Sequence, residues 1–199
     1  MNRVYLDYNA SAPLREEARE AMVHTMALAG NPSSVHAEGR QGRAIVETAR
    51  QQVAAALGAQ GADVIFTSGA TEAAGLALHG RGIRCADIEH EAVSSWCQSD
   101  LSCGLDGGVA CEAPEASALQ LANSETGILQ HLPQGLALCD MTQAFGKLPV
   151  VFHWTGANMA LVSAHKIGGP KGVGALIVKR GTEVAAQIKG GGQEMGRRS

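Results

Sequence analysis

Three short stretches of this 199-residue chain carry side chains that could do acid–base or covalent chemistry together: Ser68-Gly69-Ala70-Thr71, Asp140 and His165-Lys166. Each ends an apolar run, namely Val64-Ile65-Phe66-Thr67, Gly135-Leu136-Ala137-Leu138-Cys139-Asp140 and Ala160-Leu161-Val162-Ser163-Ala164-His165-Lys166. Short apolar runs bounded by glycine are what the strands of a parallel sheet covered on both faces require. In such a sheet ligands sit beyond the carboxyl ends of the strands, so the three stretches are expected at one edge. The Ser68-Gly69 turn opens a predicted helix at Ala70, where free N–H groups and the helix dipole favour a phosphate. A phosphate seat, a carboxylate and an amine are the three things pyridoxal 5′-phosphate (PLP) asks of a protein: an anchor, a partner for the ring nitrogen and a lysine for a Schiff base.

Lysine usage narrows the choice of amine. None precedes Lys147, and of Lys147, Lys166, Lys171, Lys179 and Lys189 only Lys166 ends a predicted buried strand beside a histidine and a glycine-rich loop. Taken singly, each stretch has an ordinary explanation: a solvated lysine, a turn aspartate, a capped helix start. Their occurrence at three strand ends is what favours the chemical reading.

The elements that must position them follow from periodicity. Leu14 to Leu28 reads as a helix closed by Gly30. Asn31-Pro32-Ser33-Ser34 is turn chemistry, and Ile45, Ala49, Val53 and Leu57 recur at helical spacing up to Gly58. A strand at Val64–Thr67, a tight turn and a helix from Ala70 come next. From Gly80 to Leu119 no element is assigned. Buried strands are expected again around Leu138, Leu161 and Gly174-Ala175-Leu176-Ile177-Val178-Lys179. The expected fold is α/β, three layers α/β/α around a mainly parallel mixed sheet.

Composition excludes several classes of function. A net charge of −3 without basic clusters argues against nucleic acid or an anionic membrane surface as partner. No apolar run approaches the ~20 residues of a membrane span, and Met1-Asn2-Arg3 opens no secretory signal, so a soluble cytoplasmic protein acting on small molecules is expected. Cys85, Cys97, Cys103, Cys111 and Cys139 are odd in number and form no CxxC pair, which favours reduced thiols over disulfides or zinc. No two of the seven histidines have HxxxH spacing, so no metal site is expected. Gly168-Gly169-Pro170-Lys171-Gly172 lacks the spacing of a P-loop.

The chain resembles the cysteine desulfurases, class V aminotransferase-like enzymes of PLP fold type I. The resemblance rests on an ordered set: Tyr5-Leu6-Asp7-Tyr8, Gly30-Asn31-Pro32-Ser33-Ser34-Val35-His36, Phe66-Thr67-Ser68-Gly69-Ala70-Thr71-Glu72, Glu89-His90-Glu91-Ala92-Val93, Glu125-Thr126-Gly127, Asp140-Met141-Thr142-Gln143, Ser163-Ala164-His165-Lys166-Ile167-Gly168-Gly169-Pro170-Lys171-Gly172 and Gly190-Gly191-Gly192-Gln193-Glu194. It implies that Lys166 holds PLP as an internal aldimine, that Asp140 pairs with the pyridine nitrogen, and that His90 stacks over the ring. It also implies that Gln143 reaches the phenolic oxygen and that Ala70, Thr71, Ser163 and His165 hold the phosphate. Ser124 stands where the family has a cofactor-contacting asparagine, which implies a shorter contact or a water. The implied reaction takes L-cysteine to L-alanine and passes its sulfur to an enzyme cysteine, with Lys166 as the base at Cα, in a homodimer serving iron–sulfur cluster biogenesis through a sulfur-acceptor protein.

Departures from the family set further expectations. The stretches Gly80–Glu89, Ala92–Asn123 and Leu129–Asp140 look short, implying a pared-down large domain. The chain is divided into an N-terminal arm and helix over 1–30 and a PLP-binding large domain over 31–199. The family's C-terminal small domain, with its catalytic cysteine, is expected to be absent, so that the chain alone captures PLP with little or no sulfur transfer. The alternatives are a non-catalytic paralogue that scaffolds a full-length desulfurase, or another PLP lyase or aminotransferase.

Overall fold

The computed structural model describes residues 3–199. The expected N-terminal arm thus begins with two residues, Met1 and Asn2, that lie outside the described ones. Helix α1, Glu16–Met26, opens on Glu16 and Glu17 and closes near His24, charges that suit the two ends of the helix dipole. None of its residues is buried. Helix α2, Ala37–Ala56, starts earlier than the apolar periodicity indicates, because the His36 ring caps it by accepting the Gly39 N–H at 3.3 Å.

Strand β1, Asp63–Thr67, and helix α3, Ala70–Leu78, stand where sequence pattern places them. The stretch left unassigned holds β2 (Arg84–Ala86), the one-turn helix α4 (Glu91–Ser94) and β3 (Gln98–Leu101), and β4 (Ala118–Gln120) starts at its end. Then come β5 (Leu138–Asp140), α5 (Phe152–Thr155), β6 (Met159–Ser163) and β7 (Gly174–Val178). Strand β6 stops at Ser163. His165 and Lys166 ride on the 3-10 turn Ala164–Lys166 that follows it rather than on the strand itself.

The main sheet has the order β1-β7-β6-β5-β4. The β4–β5 and β5–β6 pairs are parallel, whereas β7 is antiparallel to both β6 and β1. Four strands therefore run one way and β7 alone is reversed. A parallel β2–β3 pair extends the sheet beyond β4 through a single bridge, Arg84 to Ser117. Side chains alternate between faces along each strand. Ile65, Leu138, Leu161, Leu176 and Val178 pack on Ala73, Ala74, Ala77 and Leu78 of α3. Val64, Cys139, Ala160, Val162 and Ile177 pack on Leu57, at the end of α2, and on Phe152 of α5. Both faces are covered, which makes three layers, α/β/α. Among the described residues no helix is long and apolar enough to cross a membrane.

The reversal of β7 has a geometric consequence. Because the other strands agree in direction, Thr67, Gln120, Asp140 and Ser163 all close their strands at one edge, and Gly174 opens β7 at the same edge.

The free edge of β1 is covered by the chain's last segment. Glu194 accepts the Phe66 N–H at 2.7 Å and two hydrogen bonds from Arg50, at 2.8 and 3.0 Å. The Arg50 guanidinium also lies 4.9 Å from the Phe66 ring centroid and donates to the Val64 carbonyl. Arg197 pairs with Asp63 at 3.0 Å. A strand edge left open invites pairing with other chains, and here a carboxylate occupies it. The Arg50 and Glu194 side chains are only 15% and 12% exposed, so truncating Glu194 strands both a charge and a backbone donor. Glu194→Ala is expected to lose about 3 kcal/mol in urea unfolding at pH 7, with Glu194→Gln losing less. A loss below about 1 kcal/mol for the alanine variant would mean that the pair contributes no more than an exposed one.

Candidate active site

The sheet edge opens into a cavity of about 530 Å³, within the range of small-molecule sites. At one end lies the start of α3. Its N-cap, Gly69, offers no side chain to the first N–H groups, unlike His36 and His90, which cap α2 and α4. Ser68, Gly69, Ala70, Thr71 and Glu72 line the cavity there, so the uncapped donors sit at its wall. This turn packs directly on β7: a Cβ on Gly174 would stand 2.6 Å from the Gly69 carbonyl carbon. Only glycine at 174 lets the reversed strand support the turn. Ser163, buried opposite Gly174 in the β6–β7 register, lines the same end.

The floor is acidic, and Asp140 on it is half-buried. Asp140 Oδ1 accepts the Thr142 N–H at 2.8 Å. Burial pushes the Asp140 carboxyl up from its ordinary value, outweighing the Thr142 hydrogen bond and the nearby charges of His90 and Lys166. Behind it, Glu89 is 7% exposed. Its Oε1 accepts the N–H of Gln120, the residue paired with Asp140 across the β4–β5 ladder, at 2.8 Å. Its Oε2 has no partner, and burial, with the negative charge of Asp140, raises the Glu89 carboxyl to about 8. Thr142 Oγ1, buried in a residue of the cavity wall, is also unpartnered. An acid whose charge is disfavoured by burial and a hydroxyl without a mate are sites for a cationic or polar group brought from outside.

Lys166 lines the same cavity, near enough for its charge to act on Asp140. Its Nζ donates to the Asn9 carbonyl at 2.5 Å, and Gln143 Nε2 donates to the same oxygen at 3.1 Å. Lys147 Nζ donates to Asn9 Oδ1 at 3.1 Å and to Gln143 Oε1. The arm carrying Asn9 is tied to the Lys166 turn by Ala12 N–H to His165 O at 2.8 Å and Arg15 N–H to Gly168 O at 2.9 Å. The His165 ring, 3.3 Å from the Ser11 hydroxyl, has its pKa lowered by burial and by the charges of Lys166 and Lys171. His90 Nδ1 accepts the Ala92 N–H at 3.0 Å, which fixes the ring and leaves the proton of neutral imidazole on Nε2. The Ser124 hydroxyl turns toward Glu125 Oε1, at 3.4 Å.

All nine residues singled out in the sequence, Ala70, Thr71, His90, Ser124, Asp140, Gln143, Ser163, His165 and Lys166, line this one cavity. Sequence reasoning missed Asn9, Glu72, Glu89, Gln120, Thr142 and Lys147. Glu72, Glu89 and Thr142 lay inside recognised motifs, where their adjacency to chosen residues was the available signal. Asn9 and Lys147 reach the site through tertiary contacts that no local pattern carries. None of the five cysteines lines the cavity, and among the described residues no group of His, Cys, Asp and Glu could hold a metal ion.

Residues 4–104 and 113–199 match the family model for aminotransferase class-V. The chain belongs to that family. Its relatives include a cysteine desulfurase of Frankia sp. (strain EuIK1), 36% identical over 98% of this chain and 58% of the relative. Cysteine desulfurase IscS of Dictyoglomus turgidum is 33% identical over 98% of this chain and 59% of its own. The chain thus spans about three-fifths of the length of these curated relatives. The Frankia match runs over 242 positions against a chain of 199, so the relatives carry extra segments inside the matched region. Among solved structures, a NifS-like protein from Rickettsia africae superposes with a TM-score of 0.89 at 30% identity, over 100% of this chain and 64% of that one. A structure described as SspA in complex with cysteine superposes at 0.88 and 28% identity, over 98% of this chain and 67% of that one.

The Glu89 carboxyl has a consequence for stability that needs no ligand. Its pKa is raised on folding, so the stability it allows is fully present below the unfolded-state value of 4.5 and is lost as pH rises through about 8. Glu89→Gln keeps the acceptor for the Gln120 N–H and abolishes the ionisation. Between pH 5 and pH 9 the wild type is expected to lose on the order of 3 kcal/mol relative to Glu89→Gln in denaturant unfolding. Parallel pH profiles would show that Glu89 ionises freely in the folded chain.

Proposed function

We propose that this chain is the PLP-binding part of a cysteine desulfurase, with residues 31–199 forming the cofactor domain and residues 1–30 an arm and helix laid against it. The reading is carried by one observation: an uncapped helix start, a half-buried carboxyl and a lysine amine meet in a single cavity at one sheet edge. The residues present suit the cofactor. A protonated ring nitrogen beside Asp140 would supply a positive charge to offset the burial that raises that carboxyl, and Thr142 Oγ1 offers a further polar contact at the same floor.

In this reading the N–H groups at the start of α3, with Thr71, Ser163 and His165, hold the phosphate. His90, fixed by its helix cap, presents its ring to the cofactor face, and Gln143 and Ser124 contact the substituents facing the arm. PLP contributes an aldehyde that condenses with amines and a ring that takes up electrons from a substrate carbon. Asp140 keeps a proton on the ring nitrogen by remaining ionised beside it. Lys166, in the same cavity, would hold the aldehyde through its amine and would serve as the base for the substrate α-proton. The Asn9 carbonyl holds Nζ in place until then.

L-cysteine as the substrate is supported by the relatives' names and by the cysteine-bound solved structure. Because no cysteine lines the cavity, the sulfur-accepting thiol in this reading reaches the site from beyond its walls. We infer further that it works as a homodimer in the cytoplasm and supplies sulfur for iron–sulfur clusters, a role in keeping with the IscS name of one relative.

Incubation with PLP followed by borohydride reduction tests the assignment. A pyridoxyl group is expected on Lys166 alone among the five lysines, absent in Lys166→Ala and reduced at limiting cofactor in Asp140→Asn. Labelling spread over the surface lysines, or none, would overturn it. It would also favour a scaffold that needs no cofactor.

A further inference from the structure

The phosphate end of the cavity contains a charge of the wrong sign. Glu72, the third residue of α3, lines the cavity beside Ala70 and Thr71, and its Oε2 accepts the Ser68 N–H at 2.6 Å. That bond helps shape the turn, since a glutamate at this position reaching back to the residues before a helix is a common device for fixing a helix start. A carboxylate there would nonetheless repel a phosphate dianion. Arg198 meets it. The guanidinium donates through Nε to Glu72 Oε1 at 2.5 Å and through Nη2 to Oε2 at 3.3 Å, with the two side chains 31% and 19% exposed. Burial works against the Glu72 charge, but the hydrogen bonds from Arg198 and Ser68 hold its carboxyl below the ordinary range. Arg198 is itself held by its segment: Arg197 on Asp63, Glu194 on β1 and Arg50, and a bridge to Ile188.

We propose that Arg198 is a positioning residue for the phosphate end of the site, cancelling the Glu72 charge so that the carboxylate can hold the Ser68 turn without repelling the bound phosphate. The proposal rests on the PLP reading above and adds a role for the segment that closes the edge of β1. It makes phosphate recognition depend on a pair in which the arginine itself need not touch the phosphate.

The experiment compares PLP with pyridoxal, the same aldehyde without the phosphate, by borohydride trapping at Lys166 against ligand concentration at pH 7.5. In Arg198→Met the half-saturating PLP concentration is expected to rise on the order of tenfold, from an unscreened carboxylate near a dianion. The pyridoxal value is expected to stay unchanged. The double variant Glu72→Gln, Arg198→Met keeps an acceptor for the Ser68 N–H and removes the charge, and its PLP value is expected to return to that of the wild type. A purely structural role would weaken both aldehydes together and would not be rescued by removing the Glu72 charge. The proposal is overturned if Arg198→Met leaves PLP unaffected, if pyridoxal weakens in parallel, or if the double variant fails to recover. A wild type that traps neither aldehyde at Lys166 overturns the PLP reading and this inference with it. Normal trapping by the wild type with an unresponsive Arg198→Met overturns the inference alone.

Discussion

A carboxyl at the end of a buried strand is tolerable in its charged form only opposite a positive charge, and Asp140 occupies that position. Neighbouring strands partly bury it, one backbone N–H supports it, and His90 and Lys166 partly compensate its charge. Glu89 stands behind it with an unpartnered oxygen and is pushed toward the neutral form. Two carboxyls so placed resist carrying two charges. The floor of the cavity therefore has a standing preference for a cation beside Asp140, and the remainder of the site can be understood as the means of bringing one there in a fixed orientation.

Orientation comes from the sheet. Four strands end at one edge, and the reversed β7 begins there with a glycine, so the turn before α3 lies directly on the strand. The uncapped helix start then faces the cavity from one side, while the 3-10 turn after β6 brings Lys166 in from another. The N-terminal arm closes the second side through the Asn9 carbonyl and the backbone bonds at Ala12 and Arg15. On the first side, the last segment covers the β1 edge with Glu194 and reaches the α3 turn through the Arg198–Glu72 pair. Segments far apart in the chain thus converge on one pocket, and electrostatics decides which contacts matter most there.

Much of this is legible in the sequence. The runs that became β1, β5, β6 and β7 are apolar and bounded by glycine or turn residues, and the residues following them carry the chemistry. Strand direction was not legible: an apolar run reads the same whichever way it lies, so β7 fitted a parallel expectation until its pairing was known. Strands β2, β3 and β4 escaped because they are short and no extended apolar run bounded by glycine surrounds them, as residues 135–140 surround β5. Gln98–Leu101 is also largely exposed and polar, and Ala118–Gln120 is wholly buried, so neither shows an alternating pattern. Asp140, Lys166 and the Ser68–Thr71 turn could be found from residue type at a strand end. The contact from Asn9 to Lys166 spans 157 positions and that from Arg198 to Glu72 spans 126, and only the fold creates them.

A crystal structure of the chain soaked with PLP decides whether this floor receives the cofactor. The ring nitrogen is expected within hydrogen-bonding distance of the Asp140 carboxylate, the phosphate on the N–H groups of Ala70 and Thr71, and continuous density from the aldehyde carbon to Lys166 Nζ. Cofactor density that runs the other way, with phosphate over Asp140, or a cavity holding solvent alone at saturating cofactor, would contradict it.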